Sequence, residues 1–202
     1  MDCPKCNNTG YISKGISDDG QYSYAHCGCM VVRVSDRLLG GLPTEQRDTS
    51  LVSLPDPYKT LVVYTTKIIE KVSCGETPKV ILAAYVPSPR WFSLAVRVSA
   101  ASEGVAITST TLRDLTDAAM GNDKENWAYT RSRGAKLLVV SCVVGSTSPV
   151  YADILSELIT SRWLLRGCGT ILVFASSQIK NSNNDPFSAV LDTPEIKKVV
   201  VP

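Results

Sequence analysis

Apolar residues are concentrated in short, unbroken runs along this chain. VILAAY (80–85) is a continuous apolar run, and KLLVVSCVV (136–144) and TILVFASS (170–177) are largely apolar. Continuous apolar runs of this length are typical of strands that are covered on both faces of a sheet. Two weaker patterns, GVAITST (104–110) and the KKVVV segment near the C-terminus, predict two further strands.

Segments with helical spacing of apolar residues lie between these strands. They span Tyr58 to Val72, Phe92 to Ser102, 110–120 and Pro149 to Arg166, and the third begins with threonine hydroxyls suited to capping a helix. Because strands and helices alternate, we expect an open parallel α/β sheet with helices on both faces.

The first 57 residues lack this alternation of predicted strands and helices. Met30 to Leu39 suits a short helix that ends at Gly40 and Gly41, and three prolines then punctuate an extended linker. Sequence patterning therefore predicts three parts, which are an N-terminal module (1–30), a helix with a linker (31–57) and an α/β domain (58–202).

Composition limits the classes of function. The 202 residues are 44% hydrophobic with a net charge of +2, so the chain can bury a core and carries no global attraction to nucleic acid or membrane. No apolar run approaches the ~20 residues needed to cross a bilayer, and MDCPKC does not resemble a secretory signal. We therefore expect a cytoplasmic location, with no membrane partner, where cysteines are thiols or metal ligands.

Four of the seven cysteines lie within the first thirty residues. Cys3 and Cys6 form a C-x2-C pair, and Cys27 and Cys29 form a C-x-C pair. The polar stretch between the pairs suits a hairpin that returns the second pair to the first. Four thiolates close the tetrahedral shell of a zinc ion, which predicts a structural rather than a catalytic site. His26 adjoins the second pair and remains the rival fourth ligand.

The order of these pieces resembles the bacterial replicative helicase loaders of the DnaC/DnaI family, which are AAA+ proteins. CPKCNNTGYI followed by HCGC is similar to the zinc segment of DnaI-type loaders, and RLLGGLPTEQRDTSL is similar to the family's link into its ATPase domain. KLLVVSCVVG falls at the family's Walker B strand, and YADILSELITSRWLLRGCGTILVFASS resembles the next helix and the sensor-1 strand. The resemblance implies a five-stranded AAA+ core, of the P-loop NTPase type, behind a zinc module.

The residues at the expected phosphate loop depart from that pattern. A Walker A loop needs glycines to expose backbone N–H groups, a lysine for the phosphates and a hydroxyl for magnesium. VPSPRWFSLA supplies Pro87 and Pro89 instead, and prolines have no N–H. Arg90 could meet an anion and Ser93 could mimic the hydroxyl, whereas we expect Trp91 and Phe92 to pack in the core.

Two further elements of the ATPase also depart from the family. Ser141 and Cys142 stand where the Walker B carboxylates belong, and neither replaces a carboxylate on a hard cation. At sensor 1 only Gln178 approximates the expected amide. The chain after residue 178 is short for the family's arginine finger and sensor 2, and Arg162 and Arg166 are expected to be solvated charges. We therefore expect no nucleotide cofactor and no ATPase activity.

One polar segment, 121–136, offers different chemistry. It interleaves cations with aromatic rings, a mixture that suits single-stranded nucleic acid but equally suits an ordinary charged loop. The candidate contacts are Lys124, Trp127, Tyr129, Arg131 and Arg133. The single histidine excludes Ser-His-Asp and Cys-His catalysis from the α/β domain.

These observations give three hypotheses. The first is a non-catalytic assembly factor of DNA replication that binds a replicative helicase, an active AAA+ partner or its own copies, and a phage or mobile-element source would suit so compact a chain. The second is a zinc-containing single-stranded nucleic-acid-binding protein. The third is a residual nucleotide-binding protein with a site around Arg90 and Ser93. The sequence leaves open the partner, the oligomeric state and whether the chain promotes or blocks loading.

Overall fold

A small hairpin and a short helix form the N-terminal part of the computed structural model, which describes residues 3–7, 9–16, 22–121, 127–143, 149–165, 168–178 and 186–202. Strands β1 (Tyr11–Ile16) and β2 (Tyr22–His26) pair antiparallel. Helix α1 (Gly28–Leu39) follows directly. The hairpin predicted between the two cysteine pairs is therefore confirmed.

The body of the protein is a five-stranded parallel sheet, as the alternating pattern predicts. Its strands lie in the order β4-β5-β6-β3-β7, so the first strand of the body is fourth in the sheet. The strands are β3 (Ile81–Val86), β4 (Thr108–Thr111), β5 (Leu137–Ser141), β6 (Gly169–Ala175) and β7 (Ile196–Val200).

Helices cover both faces of this sheet. They are α3 (Lys59–Ser73), α4 (Pro89–Ser102), α5 (Leu112–Met120), α6 (Trp127–Gly134), α7 (Pro149–Leu165) and α8 (Pro186–Leu191). One face packs against α3 and α4, and the other against α5, α7 and α8. Alternate residues of β3 enter the two cores, Leu82 and Ala84 on one side and Ile81 and Ala83 on the other. This two-sided burial is why the strand reads as a continuous apolar run.

The segment between α1 and α3 is more structured than the extended linker that its prolines suggest. It contains helix α2 (Thr44–Arg47) and two single turns of 3-10 helix. Leu51 is buried, and its backbone N–H donates to Ser99 Oγ of α4 at 2.8 Å. This segment is therefore packed on the body.

Two side-chain expectations are wrong. Arg162 is fully buried rather than solvated, because its guanidinium meets acceptors on α6 and β6. Trp91 is 36% exposed, so only its neighbour Phe92 packs in the core. Arg166 lies outside the described residues. Within the part of the chain that is described, no helix is long and apolar enough to cross a membrane.

Candidate functional site

The four N-terminal cysteines form one cluster. Their Sγ atoms all lie within 4.8 Å of one another, with Cys3 3.6 Å from Cys27 and Cys6 3.3 Å from Cys29. Tetrahedral zinc with bonds of about 2.3 Å places its sulfur ligands about 3.8 Å apart. The spacing of the sulfurs therefore fits a single four-coordinate metal ion.

Local backbone geometry brings the two pairs together. The turn after Cys6 is closed by Thr9, whose N–H and hydroxyl both donate to the Cys6 carbonyl, and Gly10 follows at φ +80°. The hairpin then returns the chain so that Cys27 N–H donates to Gly10 O at 2.8 Å. Because α1 begins at Gly28, Cys29 is held in its first turn. The cluster thus depends on one turn, one hairpin and one helix start.

The thiols influence one another's protonation. The pKa of Cys3 is lowered to about 6, chiefly by a hydrogen bond from the Lys5 backbone and also by the Cys29 thiol. The pKa of Cys29 is raised to about 12, chiefly by its hydrogen bond with Cys6 and also by burial. A bound metal has to displace protons from such a cluster.

His26 is the rival ligand suggested by the sequence. Its backbone pairs with Tyr11 at the end of the hairpin, and its ring lies outside what the structure describes. The four cysteine sulfurs suffice for a complete ligand set.

The second candidate site is the connection between β3 and α4, where the sheet topology would place a phosphate loop. Only Pro87 and Ser88 separate the end of β3 from the start of α4. A phosphate loop needs about six residues between strand and lysine to form its cradle. Pro89 begins α4 without an N–H, and the N–H of Phe92 donates to Ser88 O at 3.1 Å. The helix therefore starts early, within the stretch that a phosphate loop would occupy.

Aromatic side chains fill the space beside this helix start. When Ser93 is set at the hydroxyl position of the motif G-x-x-x-x-G-K-[ST], Phe92 falls at the lysine position. Phe92 is fully buried and stacks on Tyr58 at 6.3 Å between ring centroids, and Trp91 meets Tyr58 edge-on at 6.0 Å. Burial raises the pKa of the Tyr58 hydroxyl, although a hydrogen bond from the Ser88 backbone opposes this.

Arg90 and Ser93 occupy different environments near that connection. Arg90 is exposed and, with Ser93, borders an open cavity of about 420 Å³. Ser93 Oγ is buried and makes no hydrogen bond to the described residues. A phosphate site at Arg90 and Ser93 stays a prediction, and Pro87 and Pro89 provide no backbone N–H donors.

The ends of β5 and β6 carry the residues that the sequence resemblance compares with Walker B and sensor 1. Ser141 ends β5, and the Cys142 thiol is fully buried, which raises its pKa. Gln178 bridges the two strands, since its Oε1 accepts from Ala175 N–H at 2.7 Å and its Nε2 donates to Cys142 O at 3.2 Å. This amide, placed near the sensor position by the sequence, holds the strand ends together.

The polar segment 121–136 includes α6, which its weak apolar spacing does not predict. Tyr129 is half-buried beneath Arg133, whose guanidinium carbon lies 5.9 Å from the ring centroid. Burial and the neighbouring Glu157 raise the pKa of Tyr129 to about 12. Arg131 is exposed. Lys124 lies outside the described residues, as does the side chain of Trp127. A nucleic-acid contact here stays a prediction.

Comparison with known proteins gives no match among protein-family models or curated proteins. Solved structures do match. The DnaC helicase loader superposes with a TM-score of 0.56 at 14% identity, covering 79% of this chain and 100% of that chain. DnaI superposes at 0.51 and 11% identity, covering 80% and 92%.

The replication initiator DnaA, bound to AMPPCP and single-stranded DNA, superposes at 0.57 and 12% identity, covering 79% of this chain and 51% of that one. The chain thus spans about half the length of the replication initiators that it matches. Its body has the AAA+ type of P-loop fold, in a form similar to the DnaC and DnaI helicase loaders, and a four-cysteine cluster precedes that body.

Proposed function

We propose that this protein is a non-catalytic assembly factor of DNA replication that binds a replicative helicase or an active AAA+ partner in the manner of a helicase loader. The observation that carries the proposal is the two-residue connection between β3 and α4, followed by a buried Phe92, in a fold similar to that of helicase loaders.

This connection argues for binding rather than phosphoryl transfer. Transfer requires a phosphate cradle and metal ions that neutralise the developing charge. Here the first turn of α4 replaces the cradle, and Ser141 and Cys142 offer no carboxylate at the neighbouring strand end. The fold is retained in this proposal while the reaction is lost, as the separation of fold from function allows.

The cysteine cluster has a structural role in this proposal, with zinc as its metal. Four thiolates favour a soft or borderline ion in tetrahedral geometry, and a closed sulfur shell leaves no position for a reacting water. The hairpin is too small to bury much surface, so the metal would supply its folding energy. Held this way, the module offers a rigid surface for the partner.

Co-elution with purified hexameric replicative helicase from the same source tests the proposal, with light scattering to give the mass of the complex. We expect a stable complex without ATP, and we expect calorimetry to detect no magnesium-dependent binding of ATP. Cys6→Ser should abolish the complex, whereas Cys74→Ser should not, because Cys74 is exposed and outside the cluster. Failure to co-elute contradicts the helicase partner, and tight ATP binding contradicts the loss of the nucleotide site.

A second candidate function is single-stranded nucleic-acid binding through α6. It is favoured by the exposure of Arg131 on a helix that also carries Arg133. Binding of an oligonucleotide that weakens steeply with salt, and that is lost on changing Trp127 and Arg131, would support it.

A further inference from the structure

Three arginines from distant parts of the chain line one cavity of about 380 Å³. Arg37 comes from α1, Arg97 from α4 and Arg131 from α6. Thr108 and Ser109 of the edge strand β4 add hydroxyl-bearing residues to the lining. The three cations therefore converge at the edge of the sheet, and two residues of this lining, Arg97 and Ser109, also border the cavity beside the connection between β3 and α4.

Packing of three separate elements creates this convergence. Helix α1 contacts α4, and α6 contacts β4. Arg97 is half-buried in the middle of α4, while Arg37 and Arg131 are exposed. Like charges gathered around one cavity raise its positive potential, and that potential falls when an anion enters.

Acidic residues lie beside this cavity but not within it. None is among the described residues that line it. Glu103 lines the adjoining cavity, which Arg131 also borders. Asp36 precedes Arg37 on α1 and is exposed. Among the described residues of the lining, no acidic side chain offsets the charge of the three arginines.

We propose that this cavity binds a phosphate-bearing anion. Guanidinium groups form paired, charge-assisted hydrogen bonds with phosphate oxygens, which is why arginine dominates such sites. The described lining holds no aromatic ring on which a base could stack, so the cavity recognises phosphate rather than a nucleobase. Two sources share this chemistry, a free oligophosphate and the backbone of a nucleic acid. The site is independent of the helicase partner proposed above.

Two probes separate these sources, inorganic pyrophosphate by calorimetry and a fluorescent oligothymidylate by anisotropy. Arg37→Gln, Arg97→Gln and Arg131→Gln should each weaken binding of the recognised probe by about tenfold, since each removes a charge-assisted contact. Arg113→Gln is the matched control, because this arginine has the same charge, lies on α5 outside the cavity and is 77% exposed in its side chain. Arg113→Gln should leave the affinity for either probe within about twofold of that of the parent protein.

The pattern of losses identifies the source. Weakened pyrophosphate binding indicates a free oligophosphate, and weakened oligothymidylate binding alone indicates a nucleic-acid backbone. Arg97→Lys keeps the charge without the planar fork and should bind with intermediate affinity, which also guards against loss of folding in the glutamine variant. The proposal is overturned if neither probe binds, or if the three glutamine variants bind as the Arg113→Gln control does.

Discussion

Arg162 of helix α7 is fully buried, and its Nε donates a hydrogen bond to Thr170 Oγ1 of β6 at 2.8 Å. Its two remaining nitrogens donate to the carbonyls of Ser132 at 2.6 Å and Gly169 at 2.7 Å. One side chain thus joins α7 to α6 and to the start of β6.

Replacing this arginine should destabilise the fold. Arg162→Met keeps the bulk but leaves the Thr170 hydroxyl and two buried carbonyls without their donor, which we expect to cost about 3 kcal/mol in the free energy of unfolding. Urea denaturation measures it. Arg113→Met, at an exposed position, should change stability by less than about 0.5 kcal/mol. Equal stability of the two variants would contradict the role assigned to Arg162.

A lysine at position 92, which aligns with the lysine of the motif G-x-x-x-x-G-K-[ST] when Ser93 takes the hydroxyl position, should not create nucleotide binding. Phe92→Lys places a charge in a fully buried aromatic site, which we expect to cost about 3–5 kcal/mol. Phe92→Leu, which stays apolar, should cost about 1 kcal/mol. Thermal unfolding with and without ATP and magnesium measures both effects. A Phe92→Lys protein that keeps its stability and gains ATP binding would show that the site is still a phosphate loop.

Metal removal should affect the cysteine module and spare the body. A strong chelator should release one zinc ion per chain, detected with a metallochromic dye, and should expose four additional thiols to a thiol reagent. Far-ultraviolet circular dichroism should stay largely unchanged, because the body keeps both of its own cores. Cys74→Ser should hold zinc as the parent does. Release of no metal from the parent protein would remove the zinc assignment.

The Gln178 bridge should contribute modestly to stability. Gln178→Ala removes one hydrogen bond to Ala175 and one to the carbonyl of Cys142, which we expect to cost about 1–2 kcal/mol in urea denaturation. Ser177→Ala, at the exposed neighbouring position, is the control and should be neutral. Equal urea midpoints for Gln178→Ala and Ser177→Ala would mean that the Gln178 bridge does not stabilise the contact between the ends of β5 and β6.

The sheet could be predicted from the sequence because its central strands are buried on both faces, so that β3, β5 and β6 read as apolar runs. The edge strand β4 is different, since its residues are Thr-Ser-Thr-Thr and only part of the predicted run 104–110 is strand. Helix α6 could not be predicted, because the sequence WAYTRSRG lacks apolar positions at helical spacing. Hydrophobic periodicity reports burial, and both elements lie at the margin of the core.

The candidate sites also differ in how far they can be recognised from the sequence. The cysteine cluster is visible in the sequence because its ligands occur as two close pairs whose side-chain chemistry is specific. The arginine cavity is not, since positions 37, 97 and 131 belong to three elements whose packing brings them together. The burial of Arg162 cannot be predicted from the sequence, because an arginine on a helix is usually solvated and only the tertiary structure reveals its acceptors.

Helix α1 contributes one cysteine to the cysteine cluster and one arginine to the arginine cavity. Cys29 lies in its first turn and Arg37 in its last, eight residues apart and so separated by about 12 Å along one rigid axis. The cysteine cluster fixes the start of the helix, and the anion cavity uses its end. Loss of the metal should therefore weaken phosphate binding, and by linkage a bound phosphate should raise the affinity for the metal. The affinity of a protein bound to the hairpin module would then depend on whether the cavity holds an anion.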